Sequence, residues 1–181
     1  MINQRLKNSV LTAMFLAIGL VLPFLTGQIK EIGNMLLPMH LPVFLCGLIC
    51  SWKYGLVLGF VMPLMRSAIF HMPMMYPNAV AMAFELATYG FVAGYLYGKS
   101  KYKCTKALYK SILSAMIAGR VVWGVAEVIL LGVNGELFTL SAFISGAFAK
   151  AIPGIIIQLI LIPAIMVALG RAKLVPIIRK K

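Results

Sequence analysis

Aspartate is absent from this 181-residue chain, and its acids number only four: Glu31, Glu85, Glu127 and Glu136. Charged residues of either sign make up 12% of the sequence, against roughly 25% in soluble domains. These shortages exclude a water-soluble fold. With 62% of residues hydrophobic and a mean hydropathy of +0.97, too little polar surface remains to cover the apolar part, whereas lipid accepts it. Cysteine is also sparse. Cys46, Cys50 and Cys104 match no metal spacing and cannot all pair within the chain, and Cys46 and Cys50, one helical turn apart, read as small packing residues. No HExxH, paired-Glu protease motif or GxSx-plus-His arrangement nominates an intramembrane enzyme, and no motif implies a cofactor or a metal.

What the chain does contain is apolar sequence in long runs. Read against the roughly twenty residues needed to cross a bilayer, these give six spans, near Val10–Thr26, Met35–Cys50, Tyr54–Phe70, Asn78–Tyr97, Ala107–Leu131 and Leu137–Leu169. The expected fold is an all-α membrane protein, a six-transmembrane-helix bundle forming a single domain over residues 1–181, with no room for a soluble ATPase or receptor module. The run at Val10–Leu25 is too long for a signal-peptide core and no A-x-A-like site follows it before Gln28, so it reads as the first span. The second run is short and contains Pro38 and Pro42, which predict that part of it is irregular. The last run, about 50 Å long if it were one helix, is expected to begin as a loop or short helix and to bend at Pro153 and Pro163.

The 17 Lys and Arg give a net charge of +13, and their placement decides what that charge means. Arg5, Lys7, Lys53, the lysines at 99, 101, 103, 106 and 110, and Arg171, Lys173, Arg179, Lys180 and Lys181 fall on one side of the six spans. Lys30, next to Glu31, is alone on the other. Such asymmetry follows the positive-inside rule, so both termini and the two basic loops are expected in the cytoplasm of a multi-pass cell-membrane protein. A basic balance explained in this way gives no case for nucleic-acid binding. The basic loops suit anionic lipid headgroups instead. No internal repeat marks the chain as an inverted-repeat carrier.

Three cations remain within the spans, Arg66, Arg120 and Lys150, together with Glu85 and Glu127. Ionisable groups at membrane depth cost several kcal/mol unless paired or wetted, so they point to function. Counted from the outer span ends at ~1.5 Å per residue, Glu127 lies about 6 Å deep, Arg66 about 7 Å and Glu85 about 10 Å, with Arg120 and Lys150 at roughly 15–20 Å. Arg120, Trp123 and Glu127 share one helical face, as do Asn78, Glu85 and Tyr89, and as do Lys150 and Gln158. Asn34, His40, Tyr76 and Asn134 in the outer connectors add hydrogen-bonding groups. Together these residues predict an outward-facing polar cavity. Three cations against two acids favour an anionic ligand such as a carboxylate, while pairing of Arg120 or Lys150 with Glu85 or Glu127 to hold helices together is the structural alternative.

Two further patterns carry less. Ala93 to Ser100 reads AGYLYGKS, which fits the loose phosphate-loop pattern, but a spanning helix precedes it where a strand is required. Small-xxx-small pairs at Ala13/Ala17, Gly55/Gly59, Gly90/Gly94/Gly98 and Ala147/Ala151 permit close helix approach.

Longer strings are more specific: AMFLA from Ala13 to Ala17, TGQIKEIGNMLLPMHLPV, PLMRSAIF and MYPNAVAMAFELATYG. Together they resemble the substrate-binding (S) components of energy-coupling factor (ECF) vitamin transporters over nearly the whole chain, and within them the pantothenate type. The resemblance implies six helices with both termini inside and a vitamin pocket near the outer face, capped by the first outer loop. It also implies a transmembrane coupling subunit and two cytoplasmic ATPases as partners, with Ala13 and Ala17 facing the coupling subunit. The S component would tilt in the membrane to deliver its vitamin. For pantothenate, Arg66, Arg120 or Lys150 would neutralise the carboxylate. Glu85, Asn78 and Tyr76 would bond the hydroxyls or amide, and Trp123 would pack on the aliphatic part. Three alternatives stay open: another cargo (pyridoxine, a thiamine precursor or folate), a self-sufficient ion-coupled carrier, and an enzyme built on His40 and Glu85.

Overall fold

The computed structural model describes residues 4–26, 37–101, 103–133 and 151–172. Among them are six α-helices and no strand: α1 Gln4–Val21, α2 His40–Cys50, α3 Trp52–Phe70, α4 Val80–Lys99, α5 Thr105–Val133 and α6 Ile152–Arg171. Five are long and apolar enough to cross a membrane. The exception is α2, whose 11 residues reach only about 16 Å. The expected second span from Met35 is therefore helical only from His40, after a turn that contains Pro38. Residues 134–150, the proposed start of the sixth span, lie outside the described residues, as do Asn34, Asn134 and Lys150.

Helix ends follow local chemistry. At its C-terminal end α1 gives way to a 3-10 turn over Leu22–Thr26, where Pro23 lacks the N–H that an α-helix requires. Pro42 is tolerated in α2 because it falls in the first turn, and Pro153 sits likewise at the start of α6. Pro163 lies inside α6 and Pro63 inside α3, both buried. One residue, Ser51, turns the corner between α2 and α3 at φ 132°. His71 closes α3 in the left-handed conformation, its N–H bonded to the Ser67 carbonyl. A π-turn over Met75–Ala79 leads into α4.

The helices at the centre of the bundle are α2 and α4. Nine of the eleven α2 residues are buried, as suits a helix apolar on all sides. α4 packs against α2, α3 and α5. Its contact with α2 and α3 is backbone to backbone at Gly47, Gly55, Gly59, Gly90 and Gly94, so the Gly55/Gly59 and Gly90/Gly94 spacings are real crossing points. Gly98, one turn further on, faces open space. One core cluster joins Phe44, Leu48, Tyr89, Ile112, Ile162 and Met166 across α2, α4, α5 and α6. A second joins Val43, Cys46, Leu58, Met62 and Leu86 across α2, α3 and α4. Ala93 and Gly94 pack inside α4, so AGYLYGKS is helical sequence up to Lys99.

α1 is the helix least enclosed by the others. Gly19 alone among its residues is buried, while Val10, Ala13, Met14, Ala17, Ile18 and Val21 form an exposed stripe. Its opposite face is tied to α2, where Asn8 Nδ2 donates to the Cys50 carbonyl at 2.9 Å and Thr12 Oγ1 lies 3.5 Å from Cys46 Sγ.

Candidate functional site

Glu85, only 2% exposed, is the centre of a polar cluster within this apolar bundle. Arg120 Nη1 from α5 lies 2.9 Å from its Oε1, and the Tyr89 hydroxyl, one turn along α4, donates to the same oxygen at 2.7 Å. His40 Nε2, at the start of α2, is 3.9 Å away, too far for a hydrogen bond. Phe44 stacks on the Tyr89 ring at 5.0 Å. Gly119 makes the arrangement possible, because a Cβ there would fall 2.2 Å from the Tyr89 ring. Three helices thus place a cation, a phenol and an imidazole around one carboxylate.

The cluster is incompletely satisfied. Among the described residues, both ring nitrogens of His40 and Nε of Arg120 are buried without a hydrogen-bond partner, as are two groups not seen to touch Glu85, the Tyr97 hydroxyl and Nε2 of Gln158. Each such atom costs about 1–3 kcal/mol, so the concentration of several in one protein asks for an explanation beyond packing.

Of the expected site residues, the structure brings together His40, Glu85 and Arg120. Glu127 is buried on the same α5 face as Arg120, and half-buried Trp123 is a hydrogen-bonding neighbour of its carboxyl. Tyr76, exposed, donates to the Leu130 carbonyl and so ties the turn before α4 to the end of α5. Asn78 lies in that π-turn, half-buried. Arg66 is engaged elsewhere. Its Nη1 donates to the Leu20 carbonyl at 2.7 Å, and its guanidinium lies 5.5 Å from the Phe24 ring and 5.6 Å from that of Phe70. Tyr89 was placed on the Glu85 face by the sequence but given no role at the site, and Phe44 was not expected there at all. Tyr89 was legible as the i+4 neighbour of Glu85, whereas nothing in the sequence distinguishes Phe44 from other core aromatics.

Five helices of membrane-crossing length and apolarity, packed around a buried polar cluster, define a multi-pass membrane protein. A family model for the ECF transporter substrate-specific component matches residues 7–166. The chain belongs to that family. It is therefore a transport subunit and not an enzyme, taking up a small-molecule substrate together with an ECF module of coupling and ATPase subunits. No curated protein and no solved structure matches it.

Proposed function

We propose that this S component captures pantothenate at the outer face of the membrane and hands it to the ECF module. The observation that carries the reading is the Glu85 cluster, with its carboxylate held by Arg120 and Tyr89 and unpartnered donors on His40 and Arg120. Pantothenate presents a carboxylate, an amide, two hydroxyls and a gem-dimethyl group. Glu85 accepts from the hydroxyls, and Asn78 and Tyr76 add bonds near the mouth. His40 bonds the amide, the free Arg120 Nε–H takes the carboxylate with Lys150 as a second cation, and Trp123 packs on the aliphatic part. Arg66, bound to Leu20, acts at the rim with Asn34 and Glu127. The thirteen-to-one sorting of cations supports an orientation with both termini cytoplasmic and this cluster in the outer half.

Titration of the purified protein with a panel of B vitamins tests the substrate. Pantothenate is expected to bind at least roughly a hundred-fold more tightly than pyridoxine, thiamine precursors or folate, because a site built to pair specific polar groups rejects ligands that leave them unpaired. Tight binding of another vitamin with none of pantothenate sinks the assignment.

Ala13 and Ala17 are exposed on the open stripe of α1, which supports their proposed role against the coupling subunit. Ala13→Trp and Ala17→Trp are expected to abolish uptake by the assembled transporter while leaving vitamin binding within about two-fold, since substitutions at exposed positions seldom disturb the fold. Undiminished transport in both variants removes this interface. Uptake by the chain reconstituted alone would favour a self-sufficient carrier.

A further inference from the structure

A stripe of side chains on the outside of α4 has no part in the Glu85 cluster. Phe84, Thr88, Phe91, Tyr95 and Lys99 recur at the spacing of one helical face. Phe84 and Tyr95 are 46% and 42% exposed. The start of α3 lies alongside. Phe60 meets Phe84 edge-on at 5.7 Å, and Trp52 meets Phe91 edge-on at 5.3 Å. Phe91 stacks on Tyr95 at 5.7 Å. At the basic end of the seam Lys53 lies over the Trp52 ring at 5.5 Å and Lys99 over Tyr95 at 5.6 Å. Both ammonium groups are thus drawn onto rings of one aromatic strip, Trp52–Phe91–Tyr95, Lys53 onto Trp52 and Lys99 onto Tyr95.

We propose that the α3–α4 seam is a binding site for one anionic phospholipid, with its headgroup phosphate between Lys53 and Lys99 and an acyl chain laid along Phe91 toward Phe60 and Phe84. Length and polarity both fit. From Phe84 to Lys99 the stripe rises about 22 Å, more than the ~15 Å of hydrocarbon in one leaflet, so it reaches from chain depth to headgroup level. Its deep end offers rings and aliphatic groups, the exposed Leu56 and Val57 among them, and the Thr88 hydroxyl there is spent on the Phe84 carbonyl at 2.7 Å. Its shallow end offers two cations, the Tyr95 hydroxyl and the Trp52 indole N–H, all suited to a phosphate. An acidic protein segment would use the lysines but leave the deep, lipid-level rings unexplained. A zwitterionic lipid would gain little from two cations. The close glycine contacts between α3 and α4 keep the seam closed behind the rings, so the lipid lies on the surface and does not enter the bundle.

The test uses the fluorescence of Trp52. In a Trp123→Phe background it is the only tryptophan, and it can be quenched by brominated lipid in phosphatidylcholine vesicles. Brominated phosphatidylglycerol at low mole fraction is expected to quench up to about thirty-fold more effectively than brominated phosphatidylcholine at the same fraction, the preference that two cations near a headgroup confer. Lys53→Gln combined with Lys99→Gln should bring the two lipids to parity. Lys106→Gln with Lys110→Gln, an equal loss of charge on exposed α5 positions, should leave the preference intact. Parity in the parent protein, or an equal loss in both pairs of variants, overturns the site. Should Trp123→Phe fail to fold, native mass spectrometry of the unsubstituted protein and both lysine pairs from mixed micelles decides the same question. One retained phosphatidylglycerol that is lost only with Lys53 and Lys99 supports the proposal; no retained lipid, or loss in both pairs, overturns it.

Discussion

Glu85→Ala will abolish substrate binding and destabilise the protein together. The substitution leaves the Arg120 guanidinium, 6% exposed, without its counter-ion, and removes the acceptor of the Tyr89 hydroxyl. Breaking one side of a buried ion pair costs about 3–5 kcal/mol. Hydrogen bonds between membrane helices contribute less than this, averaging about 0.6 kcal/mol, so the uncompensated charge dominates and the lower end, about 3 kcal/mol, is expected. For a chain of this size that corresponds to a melting temperature lower by roughly 6–12 °C.

A second variant separates structure from binding. Glu85→Leu with Arg120→Leu removes both charges, and replacing a buried pair by apolar residues of similar volume is often neutral or stabilising. The double variant should therefore regain most of the lost stability while binding no substrate. Thermal unfolding and ligand titration on the same samples check both halves. A double variant that binds as the parent does would make the pair a helix clamp and nothing more. An unchanged melting temperature for Glu85→Ala would contradict the burial of Arg120.

The contrast between Glu85 and Arg66 explains how far the sequence could be read. Apolar runs located the helices because a backbone in lipid must satisfy its own hydrogen bonds, so length and hydropathy suffice. They missed the first turn and a half of α1, where Gln4, Arg5, Lys7 and Asn8 continue the helix beyond the depth at which apolarity is demanded. Pro38 and Pro42 predicted some irregularity in the second span; Pro38 falls in the turn before α2, while Pro42 is accommodated in its first turn. Charges within the spans drew attention to Glu85 and Arg120, and His40 was expected from an outer connector; the three meet in one cluster, but Arg66 is just as charged and also lies within a span. What separates it is a carbonyl at Leu20 and the rings of Phe24 and Phe70. Every residue carries a carbonyl, so no sequence pattern marks the one that an arginine will find. The Arg120–Glu85 pair was one of four combinations open to two cations and two acids. Only the crossing of α4 and α5 selects it.

The glycine pairs pose the same difficulty, and they carry the second large effect. Gly90→Ala adds a single methyl group, yet its Cβ would stand 2.2 Å from the Gly55 carbonyl oxygen and 2.3 Å from the carbonyl carbon. Close contacts between carbon and a carbonyl oxygen settle near 3.3 Å, so α3 and α4 must part by about 1 Å. Neither obstructing atom belongs to a side chain that could rotate away, and the residue opposite is already glycine, so no smaller partner can restore the fit. Overpacking of this kind costs typically 1–3 kcal/mol and occasionally more; the upper end, about 3 kcal/mol, is expected where backbone meets backbone. Gly98→Ala, two turns further along the same helix with nothing within 4 Å, should be neutral or stabilise by up to about 1 kcal/mol, since alanine is the better helix former. The two variants are chemically identical, so a difference between their melting temperatures measures the crossing alone; equal melting temperatures would deny the close approach. Binding should fall with Gly90→Ala and not with Gly98→Ala. Glu85 and Tyr89 ride on the helix that is displaced, and a shift of about 1 Å along the wrong direction is enough to turn the 2.9 Å contact with Arg120 into one no longer of hydrogen-bonding length.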